Sequence, residues 1–364
     1  MRLTIAVLPG DGIGPEVTAE ALRVLQLVGD ACGHDFETRE YAIGGAAIRV
    51  AGEALPRATL TACQDADAVL LGAVGDPAFD GREPSQRPEA ALLTLREALG
   101  GFANLRPART LPALVDATPY RPERVAGADV LIVRELLGGL YYGRPRGGDA
   151  FEAHNTMRYT RDEIVRVARV AFEQARERRG SLTSVDKANV LETSRLWRAV
   201  VTDVAADYPD IRLSHMYVDA CAMRLALEPT FFDVMLAENL FGDILSDQAA
   251  ALAGSIGMLP SATLGGKVDL YEPVHGAAPD IAGRDRANPL GAIASVAMLL
   301  RHTAALRREA DLVERAIEEV IESGLRPADL IRPGGRAATT REVGDAVMYA
   351  VEELIDHQHA YHAV

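Results

Sequence analysis

The sequence predicts an α/β fold, because short apolar runs typical of buried strands alternate with longer segments of helical period. The first apolar run covers residues 4–8, and a helical segment follows it from Pro15, a residue type favoured at helix starts. Charged residues stand at the ends of several predicted strands, which is the edge where α/β sheets bind ligands. The other predicted strands are 68–71, 130–133, 182–185, 213–218 and 232–236.

Helices are predicted from apolar periodicity and from residues typical of helix ends. The segment 160–179 has a clear start, since Thr160 and Glu163 are spaced as a capping box. Residues 138–159 are rich in glycine, aromatic residues and proline and lack a helical period, so they predict a protruding hairpin or arm. The remaining predicted helices are 15–27, 89–99, 243–253, 288–306, 312–321 and 341–356.

Length and charge limit the possible functions. The 364 residues suggest about two domains, and no apolar run approaches the ~18 residues that span a bilayer, so no membrane segment is predicted. The net charge of -14 argues against a nucleic-acid partner. Cys32, Cys63 and Cys221 are widely spaced, which is typical of reduced thiols in the cytoplasm, and residues 1–8 predict a strand and not a targeting segment.

The pair Asp243 and Asp247 is the most informative feature for chemistry. Gly242 predicts the turn from strand to helix, and the i, i+4 spacing places both carboxylates on one helix face. Two like charges at that spacing repel unless a cation lies between them, and carboxylate oxygens favour Mg²⁺ or Mn²⁺. Acidic residues are also favourable at any helix N-terminus, so the pair alone fits a solvated helix equally well.

The glycine-rich loop at residues 10–16 resembles a dinucleotide fingerprint only superficially. A Rossmann motif needs the spacing G-x-G-x-x-G, and the spacing here differs. Pro15 also sets a helix start inside the loop. The loop therefore predicts a tight strand-to-helix turn and not a standard Rossmann domain.

Three arginines could bind a dicarboxylic acid. Arg96 lies on a predicted helix, Arg106 follows an apolar segment and Arg134 ends a predicted strand. The planar guanidinium group matches a carboxylate in bidentate fashion. Each arginine alone is more often a surface residue, and the sequence does not show that the three meet.

Two further residues could transfer protons. Tyr141 could act as an acid if a cation lowers its pKa, and Lys187 could act as a base if it is desolvated or near another cation. The alternatives are an aromatic side chain that packs in a hairpin and a solvated lysine that pairs with Asp186.

The segment 272–283 is loop-like and contains His275, Asp280 and several glycine and proline residues. Such a loop could hold a nucleotide, because glycine allows close approach of the backbone. A purely structural loop fits the pattern equally well.

Together these segments resemble the β-decarboxylating isocitrate/isopropylmalate dehydrogenase family. The resemblance covers nearly the whole chain, from residues 8–16 to 344–346, and is closest to the members that act on 3-isopropylmalate. The most specific matches lie at 92–96, 103–107, 134–141 and 184–192 and around Asp243 and His275.

The resemblance implies a two-domain isopropylmalate dehydrogenase-like fold, not a standard Rossmann fold, in which the domains flank a cleft. Residues 1–101 and 254–364 would form the cofactor-side domain, and residues 102–253 would form the domain with the metal ligands and the dimer contact. The arm at about 138–159 would lie at the interface of a homodimer. Each active site would then contain residues of both subunits.

The resemblance also implies roles for individual residues. Tyr141 would be the acid and Lys187 the base, with Lys187 and Asp219 supplied by the partner subunit. The metal would be bound by Asp219, Asp243 and Asp247. The substrate would be contacted by Asp219, by the arginines Arg96, Arg106 and Arg134 and by the apolar residues Leu92, Leu93 and Val190. NAD would be contacted by Glu89, His275, Gly276, Ala277, Ala278, Asp280, Ile281 and Asn288.

The implied reaction is the NAD-dependent oxidative decarboxylation of (2R,3S)-3-isopropylmalate in leucine biosynthesis, with Mg²⁺ or Mn²⁺. Leucine and valine suit an isopropyl group, whereas burying the third carboxylate of isocitrate against them would be unfavourable. The carboxylate of Asp280 would repel the 2′-phosphate of NADP, so NAD is expected. A relative acting on malate, tartrate or another 3-substituted malate is the alternative, and a non-catalytic regulatory paralogue is a remote one.

Overall fold

A computed structural model of the chain describes residues 1–331 and 334–362. It contains two compact units, of which unit 1 comprises Met1–Gly100 and Gly254–Val364 and unit 2 comprises Gly101–Ala253. Strands and helices alternate through both units, so the predicted α/β class is confirmed. Among the helices of the described residues, none combines the length and the apolar character needed to cross a lipid bilayer.

The strands, in chain order, are β1 (Arg2–Gly10), β2 (Asp35–Glu40), β3 (Ala68–Ala73), β4 (Ala103–Arg109), β5 (Asp129–Glu135), β6 (Arg146–Gly148), β7 (Ala153–Asn155), β8 (Ser181–Asp186), β9 (Arg212–Tyr217), β10 (Val234–Ala237), β11 (Pro260–Leu264) and β12 (Asp269–Pro273). The α-helices are α1 (Gly14–Cys32), α2 (Gly44–Ala51), α3 (Arg57–Asp65), α4 (Pro88–Leu99), α5 (Pro122–Val125), α6 (Arg161–Arg176), α7 (Glu192–Ala205), α8 (Val218–Leu227), α9 (Asn239–Ala250), α10 (Leu290–His302), α11 (Arg307–Glu322) and α12 (Thr340–His362). Short 3₁₀ turns occupy Pro77–Phe79, Pro84–Gln86, Pro112–Ala117, Gly139–Tyr141, Pro229–Phe231, Ala251–Ala253 and Ile256–Met258.

The strands of unit 1 lie in the order β2-β1-β3-β12-β11. All these pairs are parallel except β11 with β12. Helices α1, α10, α11 and α12 pack together, and α10 is apolar and buried around most of its surface, which is typical of a helix inside a layered α/β core. A second apolar cluster joins strand residues of β1, β3 and β12 to α3 and α4.

The strands of unit 2 lie in the order β4-β5-β10-β8-β9. Only β4 with β5 is antiparallel, so β5, β8 and β10 carry their carboxyl ends to one edge of the sheet. Helix α6 contacts β5, β8 and β10, while α9 contacts β4, β5 and β10. The candidate acids on α9 are therefore positioned next to Arg106 on β4 and Arg134 on β5.

The helix-end signals in the sequence act as expected. Thr160 accepts a hydrogen bond from Glu163 N at 3.3 Å, and Glu163 Oε2 accepts one from Thr160 N at 2.6 Å, so the predicted capping box is confirmed. Pro15 lies in the first turn of α1, which ends at Gly33 in the left-handed conformation. Gly33 ends this helix five residues later than the predicted 15–27.

The predicted hairpin is present as the antiparallel pair β6 and β7, in which Gly147 faces His154. Both strands are exposed, and Phe151 at their tip has 98% of its surface accessible. The location of this arm at a dimer interface stays a prediction.

Two sequence predictions need correction. Gly242 does not mark the turn before the acidic helix, because α9 already starts at Asn239 and Gly242 lies inside it. Its role is close packing, since an added Cβ would lie 2.7 Å from Arg134 Cγ. The helix predicted at 288–306 starts later, at Leu290. Asn288 precedes it, and its Oδ1 accepts a hydrogen bond from Leu290 N at 3.0 Å.

Candidate active site

The first turns of α9 present the two aspartates. Glu238 caps the helix by accepting hydrogen bonds from Leu240 N at 3.1 Å and Phe241 N at 2.9 Å. Asp243 and Asp247 follow one turn apart, with 32% and 60% of their side-chain surfaces exposed. Both carboxylates are therefore accessible to a ligand.

Arg134 holds Asp243 from the sheet side. The arginine is almost completely buried on β5, and its Nη1 forms an ion pair with Asp243 Oδ1. Asn239 fixes the other side of the guanidinium group, since its Oδ1 accepts from Arg134 Nε at 3.0 Å and from Nη2 at 2.7 Å. The charged end of a buried arginine is thus directed to the surface of α9.

Arg106 reaches the same acids from β4. Its Nη1 lies 3.5 Å from Asp243 Oδ1 and 3.6 Å from Asp247 Oδ1. Asn104 accepts a hydrogen bond from Arg106 Nε at 2.7 Å, and Ser246 Oγ accepts one from Nη1 at 2.8 Å. Two arginines and two aspartates therefore converge within unit 2.

Tyr141 completes this cluster. Its hydroxyl donates to Asp243 Oδ2 at 2.7 Å, and Arg134 Cζ lies 5.5 Å from the centre of its ring. Burial and the neighbouring Asp243 carboxylate raise the pKa of Tyr141 to about 12. The phenol is therefore protonated at neutral pH, and a cation beside Asp243 would be needed to lower its pKa for proton donation.

The two aspartates interact electrostatically. Partial burial and the charge of Asp243 raise the pKa of Asp247, whereas Arg106 opposes this shift. A divalent cation beside both carboxylates would relieve their repulsion. Across residues 1–331 and 334–362, no three histidine, cysteine, aspartate or glutamate side chains converge at metal-binding distance.

A second charged group lies at the ends of β8 and β9. Lys187 Nζ forms an ion pair with Asp219 at the start of α8, and this contact lowers the pKa of the Asp219 carboxyl group. Asp186 shapes the turn, because it accepts from Ala188 N at 2.9 Å and pairs with Arg198 at 2.8 and 2.9 Å. Asp186 thus pairs with Arg198, and Lys187 pairs with Asp219.

The predicted substrate residues of unit 1 lie on α4. Arg96 Nη2 donates to Glu272 Oε1 on β12 at 2.6 Å, and both side chains are nearly buried. Leu92 and Leu93 are half-buried, and Leu92 packs on the apolar cluster of this unit. Glu89 is exposed in the first turn of the helix.

The glycine loop of unit 1 lies against the predicted cofactor segment. Ile13 N donates to Ala277 O at 2.8 Å, and an added Cβ at Gly12 would lie 1.9 Å from the same oxygen. Asp11 accepts hydrogen bonds from Gly45 N at 2.9 Å, Ala46 N at 2.8 Å and Gly75 N at 2.9 Å. The predicted tight turn is confirmed, and Asp11 links it to the start of α2 and to the segment that follows β3.

The cofactor segment itself has one buried polar atom without a partner. His275 is nearly buried, and its Nδ1 lies 3.0 Å from Gly276 O, while its Nε2 makes no hydrogen bond within the described chain. Burial lowers the pKa of this imidazole. Ala278 has a φ of 37°, an unusual conformation for a residue with a side chain. A buried donor or acceptor left unpaired is suited to a ligand.

The remaining cofactor candidates differ in exposure. Asp280 is exposed, and Ile281 is half-buried. Asn288 is buried, where its Nδ2 donates to Asp329 Oδ2 at 3.1 Å. Gly276 is exposed and has open space where a Cβ would project.

A family model described as isocitrate/isopropylmalate dehydrogenase matches residues 4–347. The chain belongs to this family.

Other members of the isocitrate/isopropylmalate dehydrogenase family match along nearly the whole chain. A protein of Gloeobacter violaceus named 3-isopropylmalate dehydrogenase is 54% identical over 96% of this chain and 99% of its own length. One of the same name from Aquifex aeolicus is 50% identical over 98% and 99%. Membership makes this chain an oxidoreductase.

Solved structures support the fold of the isocitrate/isopropylmalate dehydrogenase family. Isocitrate dehydrogenase from Methylococcus capsulatus superposes with a TM-score of 0.84 at 35% identity, over 96% of this chain and 99% of that one. A β-decarboxylating dehydrogenase from Thermococcus kodakarensis gives 0.80 at 37% identity, with 97% of each chain covered.

The structure adds supporting residues that sequence analysis did not single out. Asn239, Ser246 and Asn104 orient the two arginines of unit 2, and Glu272 pairs with Arg96 of unit 1. Only Asn239 had a usable signal, because a polar residue directly before an amphipathic segment is typical of a helix start. The others depend on contacts between distant parts of the chain.

Proposed function

We propose that the protein is an NAD-dependent 3-isopropylmalate dehydrogenase. It would convert (2R,3S)-3-isopropylmalate to 4-methyl-2-oxopentanoate and CO₂, a step of leucine biosynthesis. The carrying observation is the convergence of Asp243, Asp247, Arg106, Arg134 and Tyr141 in a member of the isocitrate/isopropylmalate dehydrogenase family. Relatives of the same name over nearly full length support the choice of substrate.

The donor groups on α9 fit a hard divalent cation. Two carboxylates one turn apart supply oxygen ligands of the type that Mg²⁺ and Mn²⁺ prefer. Asp247 is exposed, and the pKa of its carboxyl group is raised by partial burial and by Asp243, so a cation would stabilise its charged form. We infer that Asp219 of a second copy adds a further ligand and contacts the substrate.

Each residue of the cluster then has a chemical task. Arg106 and Arg134 bind the substrate carboxylates, and we assign the same task to Arg96 of unit 1. Lys187 of a second copy accepts the proton of the C2 hydroxyl, and the C3 carboxylate leaves as CO₂. Tyr141 donates a proton to C3. When bound, the cation would acidify the C2 hydroxyl and stabilise the developing negative charge, and NAD would take the hydride from C2.

The C3 substituent would contact Leu92, Leu93 and Val190. Val190 follows β8 and has 61% of its surface exposed, which leaves an apolar side chain available for a ligand or a second subunit. An isopropyl group buries against such residues favourably, whereas a carboxylate loses its hydration.

The substrate assignment is tested by following NADH formation with Mg²⁺ across malates that carry H, methyl, isopropyl, benzyl or carboxymethyl at C3. We expect kcat/KM to be highest with isopropyl and about 10-fold or more lower with methyl. Carboxymethyl should be the poorest of the series because its charge must be desolvated. Highest activity with malate itself, or with benzyl or carboxymethyl, would replace the proposed substrate by another 3-substituted malate. Absence of activity with every compound would favour a non-catalytic paralogue.

NAD would bind to unit 1 through the segment 275–281 and Asn288, with Glu89 beside the nicotinamide. The unpartnered Nε2 of buried His275 supports this assignment, because a nucleotide base can provide the missing hydrogen bond. Gly276, Ala277, Ala278 and Ile281 are small or apolar and would contact the adenosine. We assign Asp280 to the hydroxyls of the adenosine ribose.

Replacing Asp280 by alanine should weaken NAD binding more than NADP binding. The carboxylate accepts hydrogen bonds from the ribose hydroxyls of NAD and repels the 2′-phosphate of NADP. Titration of both cofactors by NADH and NADPH fluorescence measures the two dissociation constants. Asp80→Ala, a change at an exposed aspartate of the same unit, is the control. An equal loss for both cofactors would remove Asp280 from the ribose site.

We further propose a homodimer with shared active sites. The exposed apolar residues Met223 and Leu227 on α8 and Ile244 on α9 support this, since the two helices contact each other and exposed apolar residues are suited to an interface. Phe151 on the exposed hairpin would add to the same interface.

A biosynthetic enzyme with three free cysteines is suited to the cytoplasm. The net charge of -14 supports a small-molecule substrate and no nucleic-acid partner.

A further inference from the structure

Tyr159 lies at the centre of a buried polar network in unit 2. Its side chain is almost fully buried, and its hydroxyl donates to Glu238 Oε2 at 3.2 Å and accepts from Asn239 N at 3.0 Å. The ring packs edge-on against Trp197 with 5.5 Å between ring centres. The hydroxyl position is therefore fixed by packing.

Glu135, at the end of β5, shapes the turn that leads to Tyr141. Its fully buried carboxylate accepts hydrogen bonds from Leu137 N at 3.0 Å and Gly138 N at 2.8 Å. The Tyr159 hydroxyl lies close enough to this carboxylate to help lower its pKa. Tyr159 is thus connected to the segment that carries the proton donor.

The same turn rests directly on the Tyr159 ring. An added Cβ would lie 2.5 Å from Tyr159 Cε1 at Gly138 and 2.5 Å from the Tyr159 hydroxyl at Gly139. Both positions require glycine because the backbone passes so close to the aromatic side chain. The backbone between Glu135 and Tyr141 therefore packs directly on this ring, which determines its course.

Glu238 and Asn239 connect Tyr159 to the acidic helix. Glu238 caps α9, and Asn239 is its first residue. The Asn239 side chain holds Arg134 through Oδ1 and donates through Nδ2 to Leu136 O and Gly138 O, both at 3.0 Å. The start of α9 is thereby tied to both Arg134 and the Tyr141 turn.

We propose that Tyr159 is a positioning residue for the reaction. Its hydroxyl joins the turn that carries Tyr141 to the helix that carries Asp243 and Asp247. The distance and orientation between the proton donor and the metal-binding acids are thereby fixed. This inference rests on the proposed function of those three residues.

The position of the Tyr141 turn relative to α9 should also depend on the protonation of Glu135 and Glu238. Burial raises the pKa of Glu135 to about 6 and raises that of Glu238, while the nearby Tyr159 hydroxyl acts to lower both pKa values. Arg166 on α6, 3.7 Å from Glu135, and Arg134 also favour the charged carboxylates. Protonation of Glu135 would weaken its bonds to the backbone of the Tyr141 turn.

The test compares Tyr159→Phe with Tyr208→Phe in the full-length enzyme. Tyr208 is a matched control, because it is equally buried in the same unit, stacks on Phe172 and bonds Glu173 away from the cluster. Tyr159→Phe should lower kcat by about tenfold, as expected for losing a hydrogen bond to a charged group. It should also shift the acid limb of the kcat/KM profile to higher pH by about half a unit or more, since the carboxylates lose a donor and protonate more readily. Tyr208→Phe should behave as wild type.

Identical pH profiles for the two variants would overturn the inference. If Tyr159→Phe does not fold, Glu135→Gln replaces it; this variant should lose the acid limb set by a group whose pKa is about 6, and persistence of that limb would contradict the inference. If wild type oxidises none of the malates, the proposed function fails separately. Hydrogen exchange of peptides 136–141 and 239–247 then decides, because only Tyr159→Phe should accelerate it, and equal exchange in both variants would overturn the positioning role.

Discussion

Replacing Lys187 by alanine is expected to lower kcat by about 10²- to 10⁴-fold while Mg²⁺ and NAD binding stay near wild type. The proposed role is to accept the proton of the substrate's C2 hydroxyl. Lys187 is close to Asp219 and only partly exposed, so its amino group is held in one place. A loss confined to kcat would be the signature of proton transfer and not of substrate binding.

Lysine is rare in this chain, which allows a second substitution at position 187 to test the same role. Lys187 and Lys267 are its two lysines, whereas arginine supplies the rest of its 38 basic residues. A guanidinium group keeps its proton at any pH of interest, but an ammonium group can exchange one. Lys187→Arg should therefore retain the positive charge and remain as inactive as Lys187→Ala.

Lys267 provides the matched control. Its side chain is exposed in unit 1, and Lys267→Ala should leave kcat unchanged. Steady-state rates give kcat, and titration calorimetry with Mg²⁺ and NAD gives the binding constants. A Lys187→Ala or Lys187→Arg enzyme that turns over at the wild-type rate would remove the lysine from the mechanism.

Replacing Asp247 by asparagine should raise the concentration of Mn²⁺ required for half-maximal activity by about 100-fold or more. The change removes one of two anionic oxygen donors on α9 and keeps the side-chain size. Asp247 contacts only the edge of the cluster, 3.6 Å from Arg106, so the Arg134–Asp243 pair should persist. The substitution should thus weaken metal binding without disturbing the rest of the cluster.

Direct binding of Mn²⁺, followed by electron paramagnetic resonance, separates metal affinity from turnover. Asp207→Asn serves as the control, because Asp207 is an exposed aspartate of the same unit that pairs with Arg169 at 3.0 Å. Unchanged Mn²⁺ affinity in Asp247→Asn, or full activity of wild type in excess chelator, would refute the metal site.

Local chemistry made part of the fold predictable. The capping box of Thr160 and Glu163 fixed the start of α6. The apolar strands β3 and β5 were recognisable because strands buried on both faces are nearly continuous apolar runs. Strand β2 was missed because it is a polar edge strand with little burial, so it carries no apolar pattern.

Sequence spacing predicted which site residues share one helix face. It did not predict which residues from distant parts of the chain meet at the site. Asp243 and Asp247 share a helix face by periodicity. The convergence of Arg106 and Arg134 on Asp243 depends on the pairing of β4 with β5 and on the packing of α9 over both. Gly242 was misinterpreted as a turn for the same reason, since its close contact with Arg134 is invisible in the sequence.

We propose that one metal-dependent site is built from two copies of the chain. Mixing Lys187→Ala and Asp247→Asn subunits after dissociation tests this arrangement. At a Mg²⁺ concentration that saturates wild type but not Asp247→Asn, each variant alone should be nearly inactive. A mixed dimer would contain one intact site, with Lys187 from one chain and Asp247 from the other. Random reassortment should restore about one quarter of wild-type activity in the presence of Mg²⁺. A mixture as inactive as its two components, despite mixed dimers seen by native mass spectrometry, would contradict the claim.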